Sequence, residues 1–223
     1  MPQGYSGVHQ SAHIQQKRQR RRDEILQAAL DAFRERGYHA TTLDHIALRL
    51  GVRKTALYHY FPDKEAILFE CHRVSLAELD RILRSTSRLP SVSGRVRAIV
   101  REHVRIMIET LHGSPLAFEV TALSPARQKE IIGARDRYER LLRRLIARGI
   151  RDGSFRPVDP KLATFAILGA INWIARWYRP EGEAQAPEVG AEFADYLVGG
   201  LERGHAPRPP SGRVRPEGRG GKK

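Results

Sequence analysis

Side chains that can contact nucleic acid are concentrated between residues 53 and 64, in a stretch that reads Arg-Lys-Thr-Ala-Leu-Tyr-His-Tyr-Phe-Pro-Asp-Lys. Lys54 and Thr55 fall in the first turn of a short predicted helix whose core anchor is Leu57. In the major groove, lysine donates to guanine acceptors and the threonine methyl group packs on the thymine methyl group. The residue types and their positions therefore predict that Lys54 and Thr55 contact DNA bases.

Further polar side chains flank this turn and suit the DNA backbone. Because successive helical residues are rotated by about 100°, His59 lies opposite Leu57 and Tyr58 lies on a flank. Such side chains donate to phosphate oxygens and fix the register of a protein on the duplex without reading its sequence. We predict phosphate contacts by Tyr58, His59, Tyr60 and Lys64. For Tyr60 the alternative of a core residue stays open, since clustered aromatic side chains are often buried.

Two short helices joined by a tight turn would position these side chains. Thr41 followed by Asp44 fits a capping box at the start of the first helix. Apolar residues then recur at helical spacing at Leu43, Ile46, Ala47 and Leu50. Gly51 ends this helix, and the second is predicted from about residue 53 to residue 61. This arrangement is typical of a helix-turn-helix, in which the second helix enters the major groove.

Longer helices are predicted on either side of this unit. The pattern Ile25, Leu26, Ala29 and Phe33 indicates a helix at about 22–36, and Pro62-Asp63-Lys64-Glu65 opens another at about 63–83. We therefore place a helix-turn-helix domain at 22–69. Residues 1–21 are predicted to be a disordered arm, whose basic end at 17–22 would reach an adjacent minor groove.

Only helices are predicted beyond a loop at 85–94. Their approximate ranges are 93–112, 115–123, 125–152, 159–178 and 187–203, with breaks at proline- and glycine-rich segments. The fold class is therefore all-α, with about nine helices. Residues 70–203 would form a second, larger helical domain. The segment 204–223, rich in proline, glycine and arginine, is predicted to be a disordered basic tail.

Charge and composition narrow the classes of protein. The formal net charge is +14, and residues 1–22 and 204–223 hold +5 each, so the body of the chain carries only +4. This distribution favours a polyanionic partner, although solubilising tails are the alternative. Cys71 is the only cysteine, which excludes an internal disulfide and fits a reducing compartment. We expect a cytoplasmic protein with no membrane contact, because no apolar run is long enough to span a bilayer.

Motifs of catalysis are missing from the sequence. It contains no glycine-rich phosphate loop, no Gly-x-Ser-x-Gly and no His-Glu-x-x-His, and its nine histidines lack ligand spacing. We therefore predict that the chain is not an enzyme and holds neither a cofactor nor a metal ion.

Several short stretches of the helix-turn-helix region resemble a known protein family. Thr41-Thr42-Leu43, Ile46-Ala47, Gly51-Val52, Leu57-Tyr58-His59-Tyr60-Phe61 and Lys64-Glu65 are similar to the N-terminal domain of TetR-family transcriptional regulators. The resemblance implies a homodimeric repressor that is released from a palindromic operator by a small molecule. It adds Thr42 to the predicted DNA contacts. The family often has Ser-Lys-Gly-Thr where this chain has Arg53-Lys54-Thr55-Ala56, and this departure adds Arg53 as well.

The resemblance also implies functions for the C-terminal half. The helices at 159–178 and 187–203 would pair with their copies in a second subunit. The segments Arg135-Asp136-Arg137-Tyr138, Gly153-Ser154-Phe155 and 169–178 are similar to regulators that sense acyl-CoA thioesters. The predicted ligand-binding residues are Met107, Leu111, Phe118, Arg135, Tyr138, Trp173 and Arg176. The alternative is a DNA-binding protein that acts without a ligand, as a constitutive repressor or an architectural protein.

Overall fold

Apolar residues spaced three or four apart form the core of the N-terminal half. The computed structural model describes residues 6–179, 182 and 184–204. Helix α1 spans Ser6–Arg36, and its apolar stripe from Ile25 to Phe33 is buried. The helix ends at Gly37, which has a φ of 76°, a value that residues with a side chain rarely adopt. The end is therefore where the sequence predicts it.

The start of α1 differs from the prediction. Residues 6–21 were expected to be disordered, but they continue α1 towards the N-terminus. Arginine, lysine, glutamine and alanine are all good helix formers, so extending an existing helix through them costs little. Side-chain pairs at helical spacing support the extension. Gln19 donates a hydrogen bond to Asp23, and Arg20 and Arg21 each form an ion pair with Glu24. Residues 1–5 and the tail at 205–223 lie outside the described residues.

Helices α2 (Leu43–Arg49) and α3 (Lys54–Tyr58) form the predicted helix-turn-helix. The capping box is present, but it is shifted by one residue. Thr42 caps α2, and its hydroxyl accepts from the His45 amide at 3.2 Å, while His45 Nδ1 accepts from the Thr42 amide. Thr41 is buried instead, and its hydroxyl donates to the Gly37 carbonyl at 2.8 Å. Thr42 therefore caps the start of α2, and Thr41 stabilises the loop before it.

Helix α4 (Lys64–Ser85) runs from the helix-turn-helix into the C-terminal half. The Asp63 carboxylate accepts from the Ala66 amide at 2.6 Å and caps its first turn. Ile67, Leu68 and Cys71 are buried near its start, and Leu79 and Ile82 near its end. A single helix thus contributes to the core of both halves.

Four more helices build the C-terminal half: α5 (Val92–Arg105), α6 (Pro125–Arg151), α7 (Pro160–Trp177) and α8 (Ala186–Gly199). The described residues form no named strand, which confirms the all-α fold class. They contain eight α-helices instead of about nine, because the segment predicted as a helix at 115–123 is a 3-10 turn at Leu116–Ala122. Helix α5 continues into a π-helical turn at Ile106–Thr110.

Helix α8 packs closely along α5. A side chain at Gly190 would lie 3.2 Å from the Arg101 carbonyl oxygen, so the small residue permits the approach of the two backbones. Arg97 of α5 pairs with Asp195 at 2.5 Å and with Glu202 at 2.6 Å. One face of α8 is therefore buried against α5 of the same chain. None of the described helices is both long and apolar enough to cross a membrane.

Candidate DNA-binding surface and ligand cavity

The short helix α3 presents most of the predicted DNA contacts to solvent. Arg53, Thr55, Tyr58 and His59 are exposed, and Leu57 anchors the helix in the core. The Tyr58 side chain is half exposed, although a large aromatic residue is usually buried. Thr42, at the cap of α2, is exposed as well. The structure thus brings these residues together as one polar surface, the reading surface.

Lys54 is also on the reading surface, but it is paired. Its ammonium group donates to the Asp44 carboxylate at 3.0 Å, and this hydrogen bond raises the pKa of Lys54. Asp44 belongs to α2, so the pair links the two helices of the helix-turn-helix. The ion pair holds the lysine over the start of α3, where base contacts are made in this motif.

Two of the predicted phosphate contacts have other positions. Tyr60 is half-buried against the core, which is the alternative that its aromatic cluster left open. The Lys64 ammonium donates to the carbonyl oxygens of Tyr38 and Thr41, both at 2.7 Å, and lies 4.2 Å from the centre of the Tyr38 ring. Burial lowers the pKa of Lys64. The geometry therefore places the Lys64 ammonium group against the loop before α2, and its phosphate contact stays a prediction.

Replacing Lys64 with methionine is expected to destabilise the fold more than it weakens DNA binding. The variant keeps the apolar stem but removes the Lys64 donor from the Thr41 carbonyl, and it leaves the Tyr38 carbonyl with only the Thr41 amide as donor. A buried group that is left unpaired costs about 1–3 kcal/mol. Urea unfolding would measure the loss. Unchanged stability together with weaker binding to every DNA sequence would instead support the phosphate contact.

The N-terminal part of α1 adds a basic surface. Lys17, Arg18 and Arg20 are exposed. Arg22 instead makes contacts within the protein. Its guanidinium donates to the Tyr60 carbonyl at 3.0 Å and lies 4.4 Å from the centre of the Phe61 ring. This contact fixes α1 against the end of the helix-turn-helix, so the exposed cations are held in a defined place relative to α3.

The C-terminal half encloses a cavity of about 170 Å³. Five of the seven predicted ligand residues line it, namely Met107, Leu111, Phe118, Arg135 and Tyr138. The remaining lining residues are His72, Ser75, Leu76, Leu79, His103, Leu116, Leu168 and Asn172. Seven of the lining residues are apolar and six have polar side chains, so the wall combines apolar surface with several polar groups that could orient a small molecule.

Trp173 and Arg176 do not line this cavity. The Trp173 side chain is 59% exposed on the outer face of α7, and its neighbour Asn172 faces the cavity in its place. Helix α7 is apolar on two faces, and the sequence does not show which face is inside. Arg176 lies 5.3 Å from the centre of the Phe118 ring, beside a groove of about 500 Å³ that Phe118 also lines.

Four polar side chains of the cavity are paired. Arg135 donates to His72 Nδ1 at 3.2 Å, and the Tyr138 hydroxyl lies 3.2 Å from His103 Nδ1. Burial, together with the charge of Arg135, lowers the pKa of His72 to about 3, and burial lowers the pKa of His103 to about 4. Both imidazoles are therefore neutral at physiological pH.

An exposed apolar stripe follows α7. Its large members are Leu162, Phe165, Trp173 and Trp177. In the next helix, α8, Tyr196 is also 67% exposed. Gly169 and Ala166 lie between the large members of the α7 stripe and are exposed as well. Four large apolar side chains on one face of one helix form a contiguous patch, and such patches mark interaction sites. We call Leu162, Phe165, Gly169, Trp173 and Trp177 the α7 stripe.

Comparison with known proteins gives the same division of the chain. Residues 25–71 match a family model described as bacterial regulatory proteins of the tetR family, and residues 90–201 match the tetracyclin repressor-like C-terminal domain. The HTH-type transcriptional repressor KstR2 of Mycolicibacterium smegmatis is 31% identical over 192 residues, which cover 81% of this chain and 90% of the relative. The chain belongs to the TetR family. It is therefore a DNA-binding transcriptional regulator and not an enzyme.

Solved structures of TetR-family regulators share its fold. The ketosteroid transcriptional regulator KstR2 of Mycobacterium tuberculosis has a TM-score of 0.74 and 28% identity, covering 82% of this chain and 95% of that one. AibR in complex with isovaleryl coenzyme A and operator DNA has a TM-score of 0.67 and 26% identity, covering 82% and 98%. Both similarities extend through the two halves of the TetR-family chain.

Sequence reasoning missed the contribution of α4 to the cavity of this TetR-family chain. His72, Ser75, Leu76 and Leu79 recur at helical spacing and all line the cavity. That spacing was visible, but the stripe contains a histidine and a serine and was not recognised as facing the interior. His103 was missed for the same reason, since a histidine among the charged residues of an amphipathic helix is expected on its exposed face.

Proposed function

We propose that the protein is a homodimeric repressor whose affinity for a palindromic operator falls when a small molecule, an acyl-CoA thioester, occupies the cavity. The observation that carries the proposal is the course of α4. This helix begins beside the loop that precedes the helix-turn-helix, and four of its residues line the cavity. A ligand that shifts α4 therefore acts on the reading surface.

Glu65, in the first turn of α4, strengthens this argument. Its carboxylate accepts from the Ser124 amide at 2.8 Å and pairs with Arg127 at 3.1 Å, and these hydrogen bonds lower the pKa of Glu65. Ser124 precedes α6, the helix that carries Arg135 and Tyr138 to the cavity. The start of α4 is thus tied to a second wall of the cavity.

A further link joins α5 to α1. Leu111 lines the cavity, and the next residue, His112, has a φ of 50° and a ring nitrogen 2.7 Å from the Asp31 carboxylate of α1. Asp31 also lies 3.9 Å from Arg49 at the end of α2. A left-handed conformation is uncommon for histidine and is held by its surroundings. Movement of Leu111 would therefore be transmitted to both α1 and α2.

The size of the cavity limits which part of an acyl-CoA it holds. Sites for drug-sized ligands measure about 300–1,000 Å³, whereas this cavity measures about 170 Å³. We infer that the acyl group enters the cavity and the phosphate-bearing carrier remains outside. The groove next to Phe118 contains three arginines, Arg34, Arg176 and Arg179, together with Glu35 and Glu119, so its cations exceed its carboxylates by one and could bind phosphate groups. The complex of AibR with isovaleryl coenzyme A shows this ligand class in a relative.

The α7 stripe supports the homodimer. Two copies related by a two-fold axis bury the same patch against each other. A two-fold dimer also spaces its recognition helices for successive major grooves, about 34–36 Å apart. A single reading surface is too small to select one site in a genome, so the dimer gives the DNA-binding domain its specificity.

Thermal unfolding against a panel of acyl-CoA esters, beginning with isovaleryl-CoA, is expected to reveal stabilisation. A ligand at 100 times its Kd adds about 2.7 kcal/mol, and each kcal/mol raises the Tm of a domain of this size by roughly 2–4 °C. The same ester should weaken operator binding by roughly 5- to 150-fold in an electrophoretic mobility assay.

Two outcomes would contradict the proposal. Operator binding that a saturating ester leaves unchanged would show that the cavity does not control DNA affinity. No stabilisation by any ester would favour the competing function, a ligand-independent repressor or architectural protein. Free coenzyme A is the control, because it supplies the carrier without the acyl group.

Lys54→Ala is expected to change the preferred operator sequence. Loss of one base contact costs about 1–3 kcal/mol at its own base pair, whereas loss of a phosphate contact weakens all sequences about equally and reduces the salt slope by about 1. Selection of bound DNA from a random library measures the preference. Arg18→Ala, an exposed cation of α1, is the matched control for a uniform loss. An unchanged preference in Lys54→Ala would assign the lysine to the backbone.

A further inference from the structure

One polar atom beside the cavity lacks a partner. His72 is 1% exposed, and its Nε2 atom is shielded from solvent without a hydrogen bond among the described residues. Most buried polar atoms in folded proteins are hydrogen-bonded, so each exception needs an explanation. Because His72 lines the cavity, a bound molecule is the partner that the site offers.

The contact with Arg135 determines whether His72 Nε2 is a hydrogen-bond donor or an acceptor. Arg135 can only donate, so the 3.2 Å contact with His72 Nδ1 makes Nδ1 the acceptor. The proton of the neutral imidazole is then on Nε2. The unpaired atom is therefore a hydrogen-bond donor, and it needs an acceptor.

The rest of the cavity supplies mainly apolar contacts, with Ser75 and Asn172 as two further polar side chains. Leu76, Leu79, Met107, Leu111 and Leu168 contribute to its wall, and Tyr138 is already paired with His103. A ligand that fills such a space is largely hydrocarbon. An apolar cavity of roughly 150 Å³ accepts benzene, so a six-membered ring fits a volume of about 170 Å³.

We propose that His72 determines the specificity of the cavity, by donating from Nε2 to an oxygen acceptor on an otherwise apolar, ring-sized group of the effector, with a carbonyl oxygen as the best-fitting acceptor. This inference rests on the proposed function, because it concerns the same cavity. It adds that an effector with a carbonyl oxygen within its buried part is preferred over its pure hydrocarbon analogue. Arg135 acts as a positioning residue, since it sets the tautomer of His72.

The test uses two probes of the same shape, cyclohexanone and methylenecyclohexane, which differ by an oxygen in place of a methylene group. Both are titrated into the full chain, and the side-chain nitrogens of histidine are followed by NMR. We expect cyclohexanone to bind roughly 10- to 100-fold more tightly, because the hydrocarbon leaves the donor unpaired. The Nε2 resonance of His72 should shift with cyclohexanone.

Variants separate this role from a packing role. His72→Phe keeps an aromatic ring but has no donor, and it is expected to bind the two probes equally. His72→Gln retains a donor and should keep part of the preference, even where His72→Phe folds poorly. His13→Phe, a change at an exposed position of α1, is the control and should match the wild-type protein.

Three results would overturn the proposal: equal affinity of the wild-type protein for the two probes, a preference that survives in His72→Phe, or binding of neither probe up to its solubility. Operator affinity is measured in parallel with the acyl-CoA esters. A preference for cyclohexanone without any ester-dependent release of operator would contradict the proposed function and leave the role of His72 intact.

Discussion

Acidification from pH 7 to pH 4.5 is expected to lower the free energy of unfolding by about 5 kcal/mol through two histidines alone. His72 and His103 have pKa values of about 3 and about 4 in the folded chain, because burial disfavours their charged forms. In the unfolded chain both titrate near 6.5. The unfolded state therefore binds more protons below pH 6.5, and stability falls as the pH decreases towards the folded pKa values.

The size of this effect is a large part of a typical domain's stability, which is about 5–15 kcal/mol. Urea unfolding at pH 7 and pH 4.5 measures it. The double variant His72→Gln, His103→Gln provides the comparison, because glutamine does not titrate, whereas the carboxylates and the other seven histidines are the same in both proteins. Parallel loss of stability in the variant and the wild-type protein would show that the histidines are not responsible.

Trp173→Glu is expected to convert the dimer into a monomer and to abolish tight operator binding. In a two-fold interface each substitution occurs twice, and the loss of a central aromatic residue costs about 2 kcal/mol or more per copy. The dimer Kd should therefore rise by roughly 1,000-fold. Analytical ultracentrifugation gives the association state, and operator titration gives the affinity.

The fold of the monomer should survive this change, since the Trp173 side chain is 59% exposed. Ile132→Glu is the matched control, because Ile132 is an exposed apolar residue of α6, 43% exposed and outside the α7 stripe. It should remain dimeric and bind operator. A dimeric Trp173→Glu protein, or a monomeric Ile132→Glu protein, would place the subunit contact on another face.

The helix-turn-helix could be predicted because its signals are local. Leu43, Ile46 and Ala47 lie at helical spacing in α2, and Gly51 with a φ of 63° supplies the turn. Such patterns depend on backbone geometry within a few residues. The family resemblance covered the same stretch, and the family models confirm it.

The side-chain positions that the sequence did not indicate depend on distant partners. Lys64 binds carbonyl groups 23 to 26 residues away, and no pattern near Lys64 shows where its flexible stem ends. Trp173 and Asn172 are adjacent and lie about 100° apart around α7, so the packing of α7 against other helices decides which of them meets the cavity. His72 acquires its role from Arg135 of another helix, 63 residues away.

The continuous first helix changes the energetics of its basic residues. A disordered arm must be ordered when it meets DNA, at a cost of about 1–2 kcal/mol for each residue that is fixed. Lys17, Arg18 and Arg20 are already fixed in α1, and Arg22 holds that helix on Phe61. Any phosphate they reach is therefore bound without the cost of ordering the backbone, and only the side chains lose freedom. Folding of the first domain thus positions the backbone of these basic residues before the protein binds the duplex.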